Sequence, residues 1–265
     1  MKMTFLEAPV PLVKCYTATS KNNYPQVRDF TSHTSDVTSL AEFEVYLNTH
    51  ASYGHCLLKG NLDRDIVRES RAGHTDAQLP TQWICLDIDG INSVNTIDQL
   101  LDTIGLGDVS YILQWSASYG INGNYELRAH VYMWLEHPAF PFQLKNWLKH
   151  LNLEHFKYDL QLTKSHVALI WGLDITTCQN DKLLYIAPPV CDPPEINTWQ
   201  GPRIALYMKE KERADLSHIH TLNQAVIRQD EVTEINRLRK DAGLKSRAES
   251  KYKERMDGGV LYAPN

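Results

Sequence analysis

Two aspartates lie two residues apart in a segment that otherwise has the composition of a β-strand. The segment reads WICLDIDG and contains Asp87 and Asp89. Side chains alternate between the two faces of a strand, so both carboxylates are expected on one face, where like charges repel unless a proton or a cation neutralises them. Hard divalent ions such as Mg²⁺ bind carboxylate oxygens and keep positions open for substrate phosphates. The pair therefore indicates a metal site for nucleotide chemistry, although a solvated acidic strand face explains this motif alone equally well.

A second strand-like segment, ELRAHVYMWL, carries two basic side chains in the same alternating pattern. Alternation places Arg128 and His130 on one face and leaves the opposite face apolar. An arginine and a histidine side by side are suited to holding a triphosphate. The preceding loop, SASYGINGN, adds the hydroxyls of Ser116 and Ser118, and its Gly120 would let backbone N–H groups approach a phosphate. A plain hairpin loop is the alternative explanation of that glycine.

A third acidic residue, Asp174, ends the apolar segment LIWGLD. Three carboxylates that meet in space can hold two metal ions about 3.5–4 Å apart, which is the arrangement of two-ion nucleotidyl transfer. The carboxylates and the phosphate-binding side chains converge only if the strand of Arg128 and His130 lies beside the strand of Asp87. The alternative for Asp174 is a turn or a helix cap, both of which favour aspartate.

The elements that must position these residues alternate between strands and helices. A helix is predicted over residues 39–54, where Ser39 and Glu42 match a capping box and Gly54 provides a stop. Residues 61–80 are polar and rich in turn residues, which predicts a loop, and the proline cluster APPVCDPPE is predicted to end the regular structure. The other predicted helices are NTIDQLLDTIG and FQLKNWLKHLNL, and the other predicted strands are VKCYTA, HCLLK, SYILQW, VALIWGLDI and LLYIAPP.

This order of elements predicts an α+β domain over residues 1–227, with a central mixed β-sheet flanked by helices. From about residue 228 the sequence becomes dense in charge and poor in aromatic residues. Few apolar side chains remain to be buried there, so residues 228–265 are predicted to form an exposed, charged helix that runs into a tail or linker.

The overall composition excludes several classes of protein. The 265 residues are 43% hydrophobic with a formal net charge of −5, so affinity for nucleic acid would require a local basic surface or bound metal ions. The five cysteines form no C-x-x-C pair, which favours reduced thiols in a cytoplasmic protein over a disulfide scaffold or a structural zinc site. No apolar run approaches the ~20 residues needed to cross a bilayer, and the amino end has no clear signal-peptide pattern.

Taken together, the motifs resemble those of the archaeo-eukaryotic primase superfamily, especially the primase-polymerase domains of phages and plasmids. That family has a D-x-D strand, then a small-residue loop leading to a strand with a histidine motif, and then a third acidic residue. The corresponding positions here are Asp87, Asp89, Arg128, His130 and Asp174. The resemblance spans roughly residues 13–195, and Lys182 stands where the family often has an arginine after the third acid.

The resemblance implies a DNA-dependent nucleotidyltransferase that makes or extends primers on single-stranded DNA from NTPs or dNTPs, in phage or plasmid replication. Two Mg²⁺ or Mn²⁺ ions would be held by Asp87, Asp89 and Asp174, and the catalytic residues would be Asp87, Asp89 and His130. The residues implied in nucleotide binding are Arg128, His130, Ser116, Ser118 and Lys182. The basic residues implied in DNA binding are Lys59, Arg64, Arg68 and Arg71.

The same resemblance bears on partners, because such proteins often have a helicase domain further along the chain. No P-loop sequence, G-x-x-x-x-G-K-[ST], occurs here. A replicative helicase would therefore be a separate domain or protein, and the charged tail is the segment expected to contact it. The implied location is the cytoplasm, that of the host if a phage encodes the protein.

Three other functions compete with this one. The DIDG motif also fits the haloacid-dehalogenase-like phosphatases, in which the first Asp attacks phosphorus and the second acts as acid and base. That fold requires a Rossmann-type start and a later acidic pair, and no D-D pair follows Asp87. Nucleotide-sugar transferases use D-x-D with Mn²⁺ but leave Arg128 and His130 unexplained. A non-catalytic DNA-binding module of primase-like fold gains nothing from carboxylates that repel phosphate.

Overall fold

The computed structural model describes residues 1–247, and within that range no helix is long and apolar enough to span a membrane. The strands are β1 (Lys2–Glu7), β2 (Cys15–Thr17), β3 (Lys21–Asn22), β4 (Asp29–Asp36), β5 (Cys56–Leu58), β6 (Glu69–Ser70), β7 (Thr81–Asp89), β8 (Tyr111–Trp115), β9 (Arg128–Ala139), β10 (Gln161–Leu162), β11 (Leu169–Ile170), β12 (Leu183–Tyr185), β13 (Val190–Asp192), β14 (Ile204–Tyr207) and β15 (Arg213–Ala214). The α-helices are α1 (Leu40–Ser52), α2 (Ile97–Thr103), α3 (Pro141–His155) and α4 (Gln224–Asp241).

The central sheet is built around β9, the longest strand described. One edge of β9 pairs antiparallel with β7, and the other edge pairs antiparallel with β8 and parallel with β15. Strand β14 continues the sheet beyond β8. Because antiparallel and parallel pairs occur together, the sheet is mixed, as predicted.

A second sheet has the strand order β12-β5-β1-β4-β6, and all of its pairs are antiparallel. Its central strand, β1, is buried at four consecutive positions, from Met3 to Leu6. A strand buried on both faces must be covered on each side, here by α1 on one face and by the loops that follow β1 and β5 on the other.

The two faces of the central sheet pack against different layers, as alternation along its strands predicts. On one face, Leu86 and Val131 belong to a cluster that also contains the apolar side of α2 and α3. On the other face, Trp83 and Tyr132 pack with α1 and the second sheet. Phe43 of α1 meets both of those rings edge-on, with centroids 6.0 and 5.7 Å away. The α+β class with helices flanking a central mixed sheet is thus confirmed.

Most of the predicted elements that lie near the aspartates form where the sequence pattern placed them. Helix α1 begins as predicted, because Ser39 accepts a hydrogen bond from the backbone N–H of Glu42. It ends at Ser52, and Gly54, which follows the C-cap residue Tyr53, has a φ of +74°, the left-handed conformation typical of a helix C′ residue. The Glu42 carboxylate binds Thr38 rather than the backbone of Ser39, so the reciprocal half of the capping box does not form.

Three predictions of secondary structure differ from the structure. The segment VKCYTA contains a strand, β2, but it is not the first strand, because β1 precedes it. The antiparallel partner of β1, β4 (DFTSHTSD), lacks the alternation that reveals strands. In VALIWGLDI, only β11 is a regular strand, because the following residues turn into a 3₁₀ helix over Ile175–Cys178. Regular structure also does not end at the proline cluster, since β13 lies within it and β14, β15 and α4 follow.

The charged segment forms the helix α4, which begins at Gln224 and packs on α3. Ile227 and Ile235 of α4 are buried, and Lys149 of α3 forms an ion pair with Glu231 (2.6 Å). The helix was predicted to be exposed, but this face of it is not. The division of the chain at residues 227/228 stays a prediction, and residues 248–265 of the predicted tail lie outside the described residues.

The cysteines are unpaired, as the sequence predicted. All five thiols are free, and three of them are buried: Cys56, Cys85 and Cys178. Burial raises the pKa of Cys56 to about 12 and that of Cys178 to about 11. These thiols are therefore packing residues rather than nucleophiles.

We expect Leu86→Ala to destabilise the protein by about 2–5 kcal/mol, because Leu86 is fully buried between the central sheet and its helices. Chemical denaturation measures the change in the free energy of unfolding. Val45→Ala is the matched control, since Val45 is 62% exposed on α1 and its truncation is expected to change stability by no more than about 0.5 kcal/mol. Equal losses for the two variants would contradict the described core.

Candidate active site

The carboxylates and the basic side chains singled out in the sequence meet where β7 and β9 pair. Asp87 lies directly opposite His130, and Asp89 lies directly opposite Arg128. The imidazole Nε2 of His130 is 3.5 Å from Asp87 Oδ1, and Arg128 Nη1 is 2.8 Å from Asp89 Oδ1. Directly opposite side chains on one sheet face are the pairs that interact most strongly in antiparallel sheets. The two strands thus place two acids and two bases in one ladder.

The arginine of this ladder is held by a second carboxylate. Its Nε donates to Glu126 Oε2 (3.0 Å) while Nη1 binds Asp89. The Arg128 and Asp89 side chains are 37% and 61% exposed, so this pair contributes little to stability, about 0–1 kcal/mol. An exposed guanidinium can exchange a carboxylate for a phosphate without leaving a buried charge unpaired.

The carboxyl group of Asp87 stays ionised although it is largely enclosed. Burial by itself raises its pKa, but the charge and hydrogen bond of His130, together with Lys182 and Lys14, outweigh burial and hold the pKa below its ordinary value. Asp87 is therefore a carboxylate at neutral pH, the form in which it can bind a cation.

The orientation of His130 is fixed from behind by Gln114 of β8. The Gln114 amide nitrogen donates to the backbone oxygen of Tyr185 (2.9 Å), which leaves Gln114 Oε1 as an acceptor for His130 Nδ1 (3.0 Å) and for the Tyr132 hydroxyl. An acceptor at Nδ1 places the ring proton there. His130 Nε2 consequently faces Asp87 Oδ1.

Asp174 comes next to Asp87 through the backbone. Its N–H donates to the Asp87 carbonyl (2.9 Å), and the Asp89 N–H donates to the Gly172 carbonyl (2.8 Å), so the segment before the 3₁₀ helix runs along the free edge of β7. The three aspartates therefore lie on adjacent stretches of chain.

The side chain of Asp174 is engaged in capping. Its Oδ1 accepts from the Thr176 N–H (2.8 Å), and its Oδ2 accepts from the Thr176 hydroxyl (2.8 Å) and from Lys182 Nζ (2.9 Å). This is the cap that was the alternative for Asp174. Across residues 1–247, the three aspartates do not form a cluster in which all ligand oxygens lie within 4.8 Å of one another.

Two of the three aspartates fit a divalent cation as they stand. Asp87 and Asp89 offer two carboxylates from one strand face, and both line the open cleft. Oxygen donors of this kind suit Mg²⁺ or Mn²⁺. Asp174 fits such an ion only after releasing Lys182 or Thr176.

The loop after β8 closes one side of the site. The Ser116 and Ser118 hydroxyls are 2.9 Å apart, and the Ser116 N–H donates to the Arg128 carbonyl (3.0 Å), which joins the loop to β9. Gly120 does not present its N–H to a ligand, since that group donates to Asn124. A Cβ on Gly120 would lie 2.5 Å from Trp199, so close packing together with a φ of +76° requires glycine there.

The charged ladder of Asp87, Asp89, Arg128 and His130, together with Ser116 and Ser118, lines an open cleft of about 230 Å³. Three residues of its wall were missed in the sequence: Lys14, Tyr24 and Tyr185. The tyrosine rings stack with centroids 3.8 Å apart, and Lys14 Nζ lies 4.9 Å from the Tyr24 centroid. Nothing in the local pattern of KCYTATSKNNY marks Lys14 or Tyr24, because they reach the cleft from an irregular segment. Lys182, which was predicted, also lines the cleft.

The predicted DNA-binding cluster does not form as a unit. Lys59 is buried and donates to Thr81 Oγ1 (2.9 Å) and the Trp83 carbonyl (3.0 Å), and burial lowers its pKa to about 7. Its assignment to DNA contact is therefore wrong. Arg64 forms a bidentate ion pair with Glu69, Arg71 donates to the Asp181 carbonyl, and Arg68 is exposed. A DNA contact for these three arginines stays a prediction.

No protein-family model and no curated protein matches this chain. Among solved structures, it is similar to the AEP domain of the cyanophage S-2L primase-polymerase (PrimPol, PP-N190), with 11% sequence identity and a TM-score of 0.35. The alignment covers 83% of this chain and 87% of that one. Similarity at this level does not establish a family or an activity, so the primase assignment stays a prediction.

We expect neutral His130 to carry its proton on Nδ1, because Gln114 Oε1 accepts there. Long-range ¹⁵N–¹H NMR correlation of the imidazole nitrogens measures the tautomer. Gln114→Leu removes the acceptor and is expected to populate the Nε2–H tautomer and to lower stability by about 1–3 kcal/mol. His137, exposed at the far end of β9, is the internal control whose spectrum should not change. An Nε2–H tautomer in the unmodified protein would contradict the assigned network.

Proposed function

We propose that this protein is a metal-dependent nucleotidyltransferase that makes or extends primers on single-stranded DNA. The observation that supports the proposal best is the register of β7 and β9, which brings Asp87 and Asp89 opposite His130 and Arg128 in one open cleft. Carboxylates suited to divalent ions and cations suited to phosphate thus share a wall, as nucleotidyl transfer requires.

In this proposal Asp87 and Asp89 hold the Mg²⁺ or Mn²⁺ ions, with Asp174 as the third carboxylate. When bound, two such ions activate the attacking 3′-hydroxyl and stabilise the leaving pyrophosphate. Binding at Asp174 requires that its Oδ2 give up the bond to Lys182. The freed ammonium lies on the cleft wall, where it is positioned to bind a phosphate.

The remaining charged residues hold the incoming nucleotide. Arg128 binds the triphosphate through its fork, since its present carboxylate partners are exposed and exchangeable. His130 donates to the phosphate from Nε2 when protonated, and Gln114 keeps the ring in place. Ser116 and Ser118 add hydroxyl donors, and Lys14 adds a cation that the sequence did not indicate.

The size of the cleft bears on how a nucleotide fits. Its volume of about 230 Å³ is below the roughly 300–1,000 Å³ of sites that enclose a drug-sized ligand. The cleft therefore accommodates the phosphates and the ions, and the base lies at its open side. A base in that position is available to pair with a template strand.

The template needs a basic surface because the net charge of the chain is −5. Arg64, Arg68 and Arg71 lie on the loop that precedes β7, and we assign them to the DNA strand. Arg64 contributes only if Glu69 exchanges for a phosphate, so its contribution is the smallest of the three.

The competing phosphatase function is less compatible with the architecture. A haloacid-dehalogenase-like site requires a Rossmann-type parallel sheet, whereas Asp87 lies on a strand whose neighbour β9 is antiparallel. The DNA-binding module without catalysis leaves the ionised Asp87 without a role. Product analysis separates these functions: new oligonucleotides indicate a primase, extension alone a polymerase, and phosphate release without polymer a phosphatase.

We expect the double variant Asp87→Ala/Asp89→Ala to lose synthesis on single-stranded DNA by at least ~10²-fold, because it removes the ligands of the ions that stabilise the transition state. The assay contains single-stranded template, NTPs or dNTPs and Mn²⁺, with products sized on a denaturing gel. Asp87→Asn/Asp89→Asn keeps the side-chain shape and is expected to be equally inactive.

Glu136→Ala is the control for this experiment, since Glu136 is an exposed acid on β9 that does not line the cleft. Circular dichroism of each variant checks that the fold is kept. Full activity in either double variant would remove the proposal, and so would an unmodified protein that makes and extends no DNA or RNA strand.

A further inference from the structure

A second group of potential ligand side chains lies on the other sheet, outside the cleft. Glu7 of β1, His33 of β4 and His55, just before β5, offer ligand atoms that all lie within 4.8 Å of one another. Among the described residues, no other group of three or more histidine, cysteine or carboxylate side chains has its ligand atoms this close together. None of the three lines the cleft of Asp87.

Strand register brings the first two ligands together. His33 is opposite Phe5, and Glu7 is two residues further along the same face of β1, so His33 and Glu7 are diagonal neighbours. The His33 Nε2 is 2.9 Å from Glu7 Oε2. The proton of this hydrogen bond lies between His33 Nε2 and Glu7 Oε2, where a cation would bind both atoms.

The third ligand is oriented by a fourth residue. His55 Nδ1 is 2.9 Å from the Nδ1 of His50, at the end of α1, so the nitrogen of His55 that remains for a ligand is Nε2. His50 is itself fixed, because its ring stacks on Phe5 with centroids 4.0 Å apart and an interplanar angle of 7°. A hydrogen bond at the second ring nitrogen is the usual support of a metal-binding histidine.

We propose that Glu7, His33 and His55 form a Zn²⁺ site, with His50 as the positioning residue of His55. Two imidazole nitrogens and one carboxylate oxygen are a donor set that zinc binds in proteins, with a fourth position left for water or another ligand. The cysteine spacing argues only against zinc sites with thiolate ligands, and the proposed site has no thiolate ligand. The site is independent of the proposed nucleotidyl transfer.

The present spacing is compatible with such an ion. Zinc–ligand distances of about 2.0–2.2 Å place tetrahedral ligand atoms about 3.4 Å apart. The ligand atoms of this group lie within 4.8 Å of one another, so the widest pair closes by at most about 1.4 Å. Side-chain rotation of His33 and Glu7 achieves this, because they are 40% and 49% exposed. The same exposure gives an ion a path from solvent. The bound ion would tie β1, β4 and the start of β5 together.

Zinc titration by calorimetry tests the site on the full chain without a polyhistidine tag. The background is Asp87→Asn/Asp89→Asn, so that the acidic cleft does not contribute. We expect one Zn²⁺ per chain, and a loss of affinity of at least about 10-fold in His33→Ala and in Glu7→Gln, since losing a ligand costs no less than losing its outer-shell support. His137→Ala, at an exposed histidine of the other sheet, is the matched control with unchanged affinity.

Cobalt substitution gives a second readout that weak surface binding does not produce. Tetrahedral Co²⁺ with nitrogen ligands absorbs strongly in the visible range, and we expect this band in the background protein and not in His33→Ala. Circular dichroism and melting without metal are expected to be alike in all variants. Absence of saturable Zn²⁺ binding, or equal affinity in His33→Ala and His137→Ala, would overturn the proposal and leave that of nucleotidyl transfer untouched.

Discussion

The pairing register of β7 and β9 is the constraint on which the candidate site depends. It sets Asp87 against His130 and Asp89 against Arg128, so two carboxylates on one strand face are neutralised by two bases on the next. A slip by one residue would turn each of these side chains to the opposite face and expose the apolar set. The same register therefore fixes the packing of the core and the chemistry of the cleft.

The register is secured by the burial of both faces further along the same strands. Beyond the cleft, Tyr132 and Trp134 replace the charged residues in the alternation and pack against α1, while Val131 and Met133 pack against the helices of the opposite side. The charged ladder lies where the sheet is open on one side. One part of the β7–β9 pair is therefore buried on both faces and fixes the register, while the other part carries the charged residues at the open cleft.

The sequence was sufficient for this pair because strong alternation is a local signal. The alternating apolar residues of β7 and β9 indicate both strands and both faces, whereas the pairing that brings Asp87 to His130 is seen only in the structure. The polar strand β4 shows no such alternation, and burial of β1 on both faces removes it there too, so these two strands were not predicted, although β5 and β12 of the same sheet were. The zinc ligands that we propose lie on that sheet, which is why sequence reasoning did not find them.

Tertiary contacts account for the other differences. Lys59 is charged and follows a strand, which suggested a surface residue, yet it packs inward over Trp83, with Nζ 4.2 Å from the ring centroid. Lys14 and Tyr24 enter the cleft from a segment that is distant in sequence from Asp87. Asp174 approaches Asp87 as predicted, but Thr176 and Lys182 occupy its oxygens. Local sequence patterns indicate which faces of a strand are polar, but they do not indicate which side chains form hydrogen bonds or ion pairs with each other.

The most direct test of the central claim is a crystal structure with Mn²⁺ and a non-hydrolysable nucleoside triphosphate, with anomalous scattering used to locate the ions. We expect anomalous peaks bound by Asp87 and Asp89, with the triphosphate against Arg128 and His130. Manganese peaks elsewhere, with Asp87 and Asp89 still paired only to His130 and Arg128, would contradict the account.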